Sequence, residues 1–227
     1  MFIAEPPDGN IPKPELEPYR FVALEGVDGS GKTTVMNLIN EIMLEHCEIA
    51  IRDSGISPAI FHGELRKEFF KDGNSPGFSI AAAATLLHMV DRKVVRPRTR
   101  VYPVFMDRWY WSFYAYQSTV TANSEEDLVL AKLFYQKLRK ELTKPDMTFY
   151  CECPSEVIAE RMAGRSDKNY LDTESQKRNL ILLTSYEELI SSETDQRVVR
   201  LNTNVPLEEL KKQLTDELVL CGLITPY

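Results

Sequence analysis

Residues 25–34 read Glu-Gly-Val-Asp-Gly-Ser-Gly-Lys-Thr-Thr and come straight after the apolar run Phe21-Val22-Ala23-Leu24. Gly26-x-x-x-x-Gly31-Lys32-Thr33 has the spacing of a phosphate-binding loop. It also has the flanks such a loop needs, a short apolar strand before it and a helical pattern after it. The glycines let backbone N–H groups turn inward around phosphate oxygens, which a Cβ would obstruct. Lys32 adds a mobile point charge for terminal phosphates, and Thr33 offers a hydroxyl to the shell of a Mg²⁺ ion. Gly26, Val27, Asp28, Gly29, Ser30, Gly31, Lys32, Thr33 and Thr34 are therefore the candidates for binding a nucleoside triphosphate. A second reactive pair, Asp107-Arg108, closes another apolar run. Its guanidinium can hold a phosphate bidentately, and its carboxylate can hold Mg²⁺ directly or through water.

Both sets need a scaffold, and the hydrophobic periodicity supplies one. Strands are predicted at 21–25, near 48–52, and at 102–106, 147–153 and 197–201. Helical patterns cover 32–46, 63–71, 78–95, 109–119, 125–142, 155–163, 172–191 and 206–221. Strands alternating with crossover helices imply an α/β fold, a parallel sheet with helices on both faces and ligands at the carboxyl ends of the strands. Residues 1–19 are proline-rich (Pro6, Pro7, Pro12, Pro14, Pro18) and carry neither period, so they read as an extension ahead of one domain spanning 20–227.

Composition narrows the partners. The chain has 227 residues, 43% of them hydrophobic, enough for one sizeable core. A net charge of −7 gives no basic field for nucleic acid or an anionic membrane, so an anionic substrate must meet a local cluster of cations. No apolar run approaches the roughly 18 residues of a spanning helix, and the N-terminus lacks a signal-peptide layout. Of the cysteines Cys47, Cys151, Cys153 and Cys221, only Cys151 and Cys153 are close in sequence, and both fall in a predicted buried strand. Free buried thiols and a cytoplasmic location are the expectation.

Longer runs carry a family resemblance. Asp107-Arg108-Trp109-x-x-Ser112-x-x-Ala115-Tyr116-Gln117 resembles the Asp-Arg-Tyr-x-x-Ser-x-x-Ala-Tyr-Gln run of thymidylate kinases, and Glu25–Thr34 resembles their phosphate loop. Arg52-Asp53-Ser54-Gly55, Gly63-Glu64-Leu65-Arg66, Leu86-Leu87-His88-x-x-Asp91-Arg92 and Pro145-Asp146-x-Thr148-x-Tyr150 follow in the family's order. The resemblance implies a P-loop NTPase fold with a five-stranded parallel sheet and a helical lid at about 161–171. It implies Mg²⁺-dependent phosphoryl transfer from ATP to a deoxynucleoside 5′-monophosphate, dTMP to dTDP above all, within dTTP biosynthesis. Lys32, Arg108, Arg165 and Asp28 are the implied catalytic residues. Asp28, Arg52, Arg66, His88, Arg92, Arg108, Ser112, Tyr116 and Gln117 are the implied acceptor contacts, and Thr33 and Asp107 the implied Mg²⁺ ligands. In this scheme Asp28 meets the sugar 3′-hydroxyl and Tyr116 crowds the 2′ position. Gly29 after Asp28 matches the family pattern that keeps its transition-state arginine in the lid, here Arg165. A homodimer is implied as well, with the apolar face of 80–90 suited to pairing.

Three positions depart from the family. His88 stands where Phe usually stacks on thymine, Trp109 replaces Tyr, and Phe113 stands where small or amide side chains are common. They point to a bulkier base pocket and leave open an altered base preference. The rival reaction is phosphorylation of the unphosphorylated deoxynucleoside, which needs a carboxylate base such as Asp53.

Overall fold

Residues 21–25 are buried along their whole length, the pattern of a strand covered on both faces. This strand, β1 (Phe21–Glu25), forms the centre of a parallel sheet with β2 (Ile51–Ser54), β3 (Val104–Asp107), β4 (Met147–Glu152) and β5 (Arg197–Asn202), in the order β2-β3-β1-β4-β5. The computed structural model describes residues 20–46, 48, 50–54, 75–164 and 175–225. The extension at 1–19, the helical pattern at 63–71 with Arg66, and Arg165 with the lid residues after 164 lie outside these.

Side chains alternate along β1 and divide the core in two. Phe21 and Ala23 face a cluster with α2 (Pro76–Val90), α3 (Tyr110–Tyr116), α4 (Glu125–Glu141) and α6 (Ser175–Ser192). Val22 and Leu24 face α1 (Lys32–Glu45) and α7 (Leu207–Leu220), where Val35, Ile39, Ile42, Leu210, Leu214 and Leu218 are buried. The remaining described helix of comparable length, α5 (Ser155–Ala163), follows β4.

Local chemistry explains where the boundaries shift. β3 begins at Val104, whose N–H bonds to Arg20 O at 2.8 Å, because Pro103 before it has no N–H for the ladder. α2 begins earlier than its periodicity suggests, capped by the Ser75 hydroxyl on Phe78 N with Pro76 at its first turn. Its end passes into a π turn, Asp91–Val95, and α3 ends in another, Gln117–Thr121. Asp91 is fully buried, accepting Arg96 Nε at 2.5 Å and Thr143 N at 2.9 Å, so it anchors the first π turn. Ile80, Ala83, Leu87 and Val90, suggested as a pairing face, pack inside the protomer's own core. Helix α2 is drawn to the sheet by the same apolar side chains that made it look like a subunit surface.

Candidate active site

The sheet register sets the site. Leu24 on β1 pairs with Asp107 on β3, so Glu25 and the Asp107-Arg108 turn emerge side by side at the carboxyl edge. Beyond β1 the chain turns through the glycine loop into α1, whose N-terminal residue Gly31 has φ 92° and gives no side-chain cap. Its first amides thus remain free to meet an anion, and the helix dipole favours one there. A Cβ on Gly31 would stand 3.1 Å from Thr203 Cβ, and one on Gly26 would stand 2.7 Å from Ser30 Oγ. The loop therefore packs against the residue after β5 and against itself too closely for any other side chain at either position.

A cavity of about 450 Å³ opens over this loop, lined by Asp28, Gly29, Gly31, Lys32, Thr33 and Thr34, with Asp107 and Arg108 from the β3 edge. Lys32 Nζ donates to Gly26 O at 3.0 Å and Val27 O at 2.8 Å. Arg108 Nη1 donates to the same Gly26 O at 3.2 Å. Two cations, one at the start of α1 and one just past β3, thus rest on one carbonyl oxygen. Burial first, and then the Arg108 charge, push the Lys32 ammonium down to about 8. A multiply charged anion in the cavity would relieve both effects.

Arg108 is bound on every side. Nη2 donates to Asp28 Oδ1 at 2.5 Å and to Tyr116 Oη at 3.1 Å, while Nη1 also reaches Ser112 Oγ at 3.2 Å. Tyr116 Oη in turn donates to Asp28 Oδ2 at 3.0 Å. Burial pushes the Asp28 carboxyl up, but the charges of Arg108 and Lys32 and the Tyr116 hydroxyl outweigh it and hold the group below its ordinary value. Arg108 itself has φ 69°, a left-handed conformation uncommon for a side-chain-bearing residue and costing on the order of 1–3 kcal/mol.

An independent comparison decides the family. The sequence model described as thymidylate kinase matches residues 24–214, from the end of β1 into α7. The chain belongs to the thymidylate kinase family. Thymidylate kinases are nucleoside monophosphate kinases, a class of transferase.

With the family settled, the residues named from the sequence divide. The phosphate loop, Asp107, Arg108, Ser112 and Tyr116 come together as described. Arg52 does not join them: its Nη1 lies 3.4 Å from Met36 O and from Asn37 Oδ1, against α1. The strand β2 that carries it is separated from β1 by β3, which leaves Arg52 nearer the flanking helix than the cavity. His88, in the last turn of α2, lies close enough to Glu141 to act on its charge; Arg92, in the following π turn, is exposed. Gln117 is buried at the start of the second π turn with its Oε1 unpaired. Arg66 and Arg165 lie outside the described residues.

Trp109 and Phe113 do not enlarge a base pocket. Both are buried in the core, with Trp109 edge-on to Phe21 at 5.2 Å and its Nε1 donating to Thr143 O at 3.1 Å. A large ring at either position fills the interior between α3 and the sheet.

Other parts of the site were not among the residues named for catalysis or binding. Thr203 Oγ1, just past β5, donates to Ser30 O at 2.7 Å and ties the last strand to the phosphate loop. Arg161 on α5 donates to Thr203 O at 2.8 Å and reaches Gly29 O at 3.4 Å, closing the cavity's far wall. A hydroxyl directly after a strand on the ligand edge was the available signal for Thr203; Arg161 stood at the start of the expected lid, about 161–171, beside a polar stretch of the sequence. Glu25 and Tyr186 form a buried layer below Arg108, for which the sequence holds no periodic sign.

The donor set suits Mg²⁺. Asp107 Oδ1 is a buried carboxylate oxygen without a hydrogen-bond partner on the cavity wall that also carries Thr33. Among the described residues no group of three or more His, Cys, Asp or Glu could hold a metal. Cys151, Cys153 and Cys221 are free and buried, and burial pushes the Cys151 thiol up to about 12. No described helix is long and apolar enough to cross a membrane.

Proposed function

We propose that the protein transfers the γ-phosphoryl group of Mg-ATP to a deoxynucleoside 5′-monophosphate, with dTMP as the preferred acceptor and dTDP and ADP as products. The observation that carries this reading is the meeting of Lys32 and Arg108 at Gly26 O, one cation from the phosphate loop and one from the β3 edge. Two cations so placed suit two phosphoryl groups brought face to face. Lys32 and the amides of residues 26–34 hold the donor's β- and γ-phosphates at the N-terminus of α1. Thr33 and Asp107 would hold Mg²⁺, which neutralises charge on those phosphates when bound.

Arg108 exchanges part of its contact with Asp28 for the acceptor phosphate, and Asp28 then meets the sugar hydroxyl beside Tyr116. An ionised acceptor oxygen attacks the γ-phosphorus, the new P–O bond forms, and the bond to the β-phosphate oxygen breaks to release ADP. No strong base is needed, since the attacking oxygen is already an anion. Asp28, held below its ordinary value, is poorly suited to removing a proton from a neutral 5′-hydroxyl, so the rival reaction would depend on Asp53 for its base. Arg165 is the proposed transition-state arginine on sequence grounds, and its replacement by Ala is expected to lower kcat. A homodimer is proposed on family grounds, to be checked by sedimentation.

A panel of deoxy- and ribonucleoside monophosphates together with thymidine, each with Mg-ATP, tests the reading. It predicts ADP and dTDP in equal amounts from dTMP. Turnover with thymidine but not dTMP would support the rival reaction, and no turnover with any monophosphate would refute both the activity and its preferred acceptor.

A further inference from the structure

Below the cavity lies a polar layer with no contact to the solvent face. Glu25, the last residue of β1, is 1% exposed. Its Oε1 accepts from Trp109 N at 2.9 Å and Ser112 N at 3.2 Å, and its Oε2 accepts from the Ser112 hydroxyl and lies 3.3 Å from Tyr186 Oη. Tyr186 comes from α6, is fully buried, and stands with Oη 2.7 Å from Ser112 Oγ.

The protons can be followed. Ser112 Oγ gives its one proton to Glu25, so it accepts from its remaining neighbours, Tyr186 Oη and Arg108 Nη1. The chain Tyr186–Ser112–Glu25 therefore ends on the carboxylate, and the guanidinium that faces the cavity joins it at Ser112 Oγ. The same carboxylate grips the amide of Trp109, the residue directly after Arg108, while Arg108 N bonds to Leu24 O at 2.9 Å. These bonds on either side keep Arg108 in its left-handed conformation, which it would otherwise leave.

We infer that Glu25 and Tyr186 are positioning residues for Arg108, holding its backbone turn and its guanidinium so that the acceptor phosphate finds the cation already aimed. Neither touches a phosphate itself. The inference rests on the proposed role of Arg108 and goes beyond it by making α6, none of whose described side chains lines the cavity over the loop, a determinant of acceptor binding.

Tyr186→Phe is the sharpest test, because the ring keeps its packing against Tyr150 at 5.5 Å and loses only the hydroxyl. Steady-state rates with dTMP and ATP and calorimetric dTMP affinity are compared with wild type, with Glu25→Gln measured alongside in case one variant folds poorly. A drop of about tenfold in kcat/KM for dTMP and in dTMP affinity is expected, with KM for ATP within about twofold. In an Arg108→Lys background the further loss on adding Tyr186→Phe should shrink to about twofold or less, as residues acting through one another require. Unchanged dTMP affinity, an equal effect on ATP, or a full independent loss in the Arg108→Lys background would overturn the inference. Wild type that bound dTMP without turning it over would instead overturn the proposed function, and the affinities would still decide the positioning role.

Discussion

The phosphate cavity and the far ends of α2 and α3 show two ways of preparing for a ligand. At the cavity the backbone does the preparing: the loop turns on Gly26 and Gly31, α1 starts without a side-chain cap, and Lys32 and Arg108 are oriented by carbonyl oxygens. Around His88, Arg92 and Gln117 no such frame exists. Arg92 is exposed without a hydrogen bond among the described residues, and Gln117 Oε1 is buried with none. On the proposed reading, phosphate would be recognised largely by the main chain, and a base by side chains at the end of α2 and in the two π turns. Phosphate chemistry should therefore be brittle under substitution and base choice pliable.

Breaking the rigid half should cost most. Arg108→Ala is expected to lower kcat/KM for dTMP about a thousandfold, measured by coupled ADP release, with circular dichroism unchanged. A loss under tenfold would mean that the guanidinium serves the fold more than the reaction. Glu25→Gln is expected to cost about tenfold at neutral pH. It should also alter the acid side of the profile. Burial pushes the Glu25 carboxyl above its ordinary value, so it takes up a proton earlier than a free glutamate as pH falls. Protonated, it gains a donor and becomes a weaker acceptor for Ser112, while Arg108 faces it from the β3–α3 turn, Tyr186 from α6 and the neutral Cys151 thiol from β4. The kcat/KM profile of wild type should fall below an apparent pKa raised over that of ordinary glutamate, and the variant should lack that limb.

The pliable half should respond gently. His88→Phe is expected to change the ratio of rates for dTMP and other deoxynucleoside monophosphates by less than about tenfold, with KM for ATP unmoved. A change of a hundredfold would place the imidazole in direct contact with the base. Arg52→Ala should leave kcat/KM for dTMP within about twofold, since its guanidinium rests on α1. A large loss would return it to the acceptor site.

The same contrast explains what could be read from the chain alone. The strand–loop–helix unit at 21–45 was legible because glycine spacing and apolar runs record backbone geometry directly. Arg108 was legible because strand ends in a parallel sheet point to one edge. Arg52 satisfied that same rule and still turned to α1, since a long side chain at the sheet's edge has other carbonyls within reach. Trp109 and Phe113 sit in an aromatic-rich stretch whose helical phase decides which rings enter the core, and a π turn at its end disturbs that phase. Tyr186 lies 161 residues from the carboxylate it serves, and no local pattern could join them.

The most direct test is a crystal structure of the protein with dTMP and a non-hydrolysable ATP analogue. The account predicts Lys32 on the donor's terminal phosphates and the Arg108 guanidinium within about 3 Å of an acceptor phosphate oxygen, with Asp28 turned toward the sugar. Arg108 still wholly engaged with Asp28, and the acceptor phosphate bound elsewhere, would contradict it.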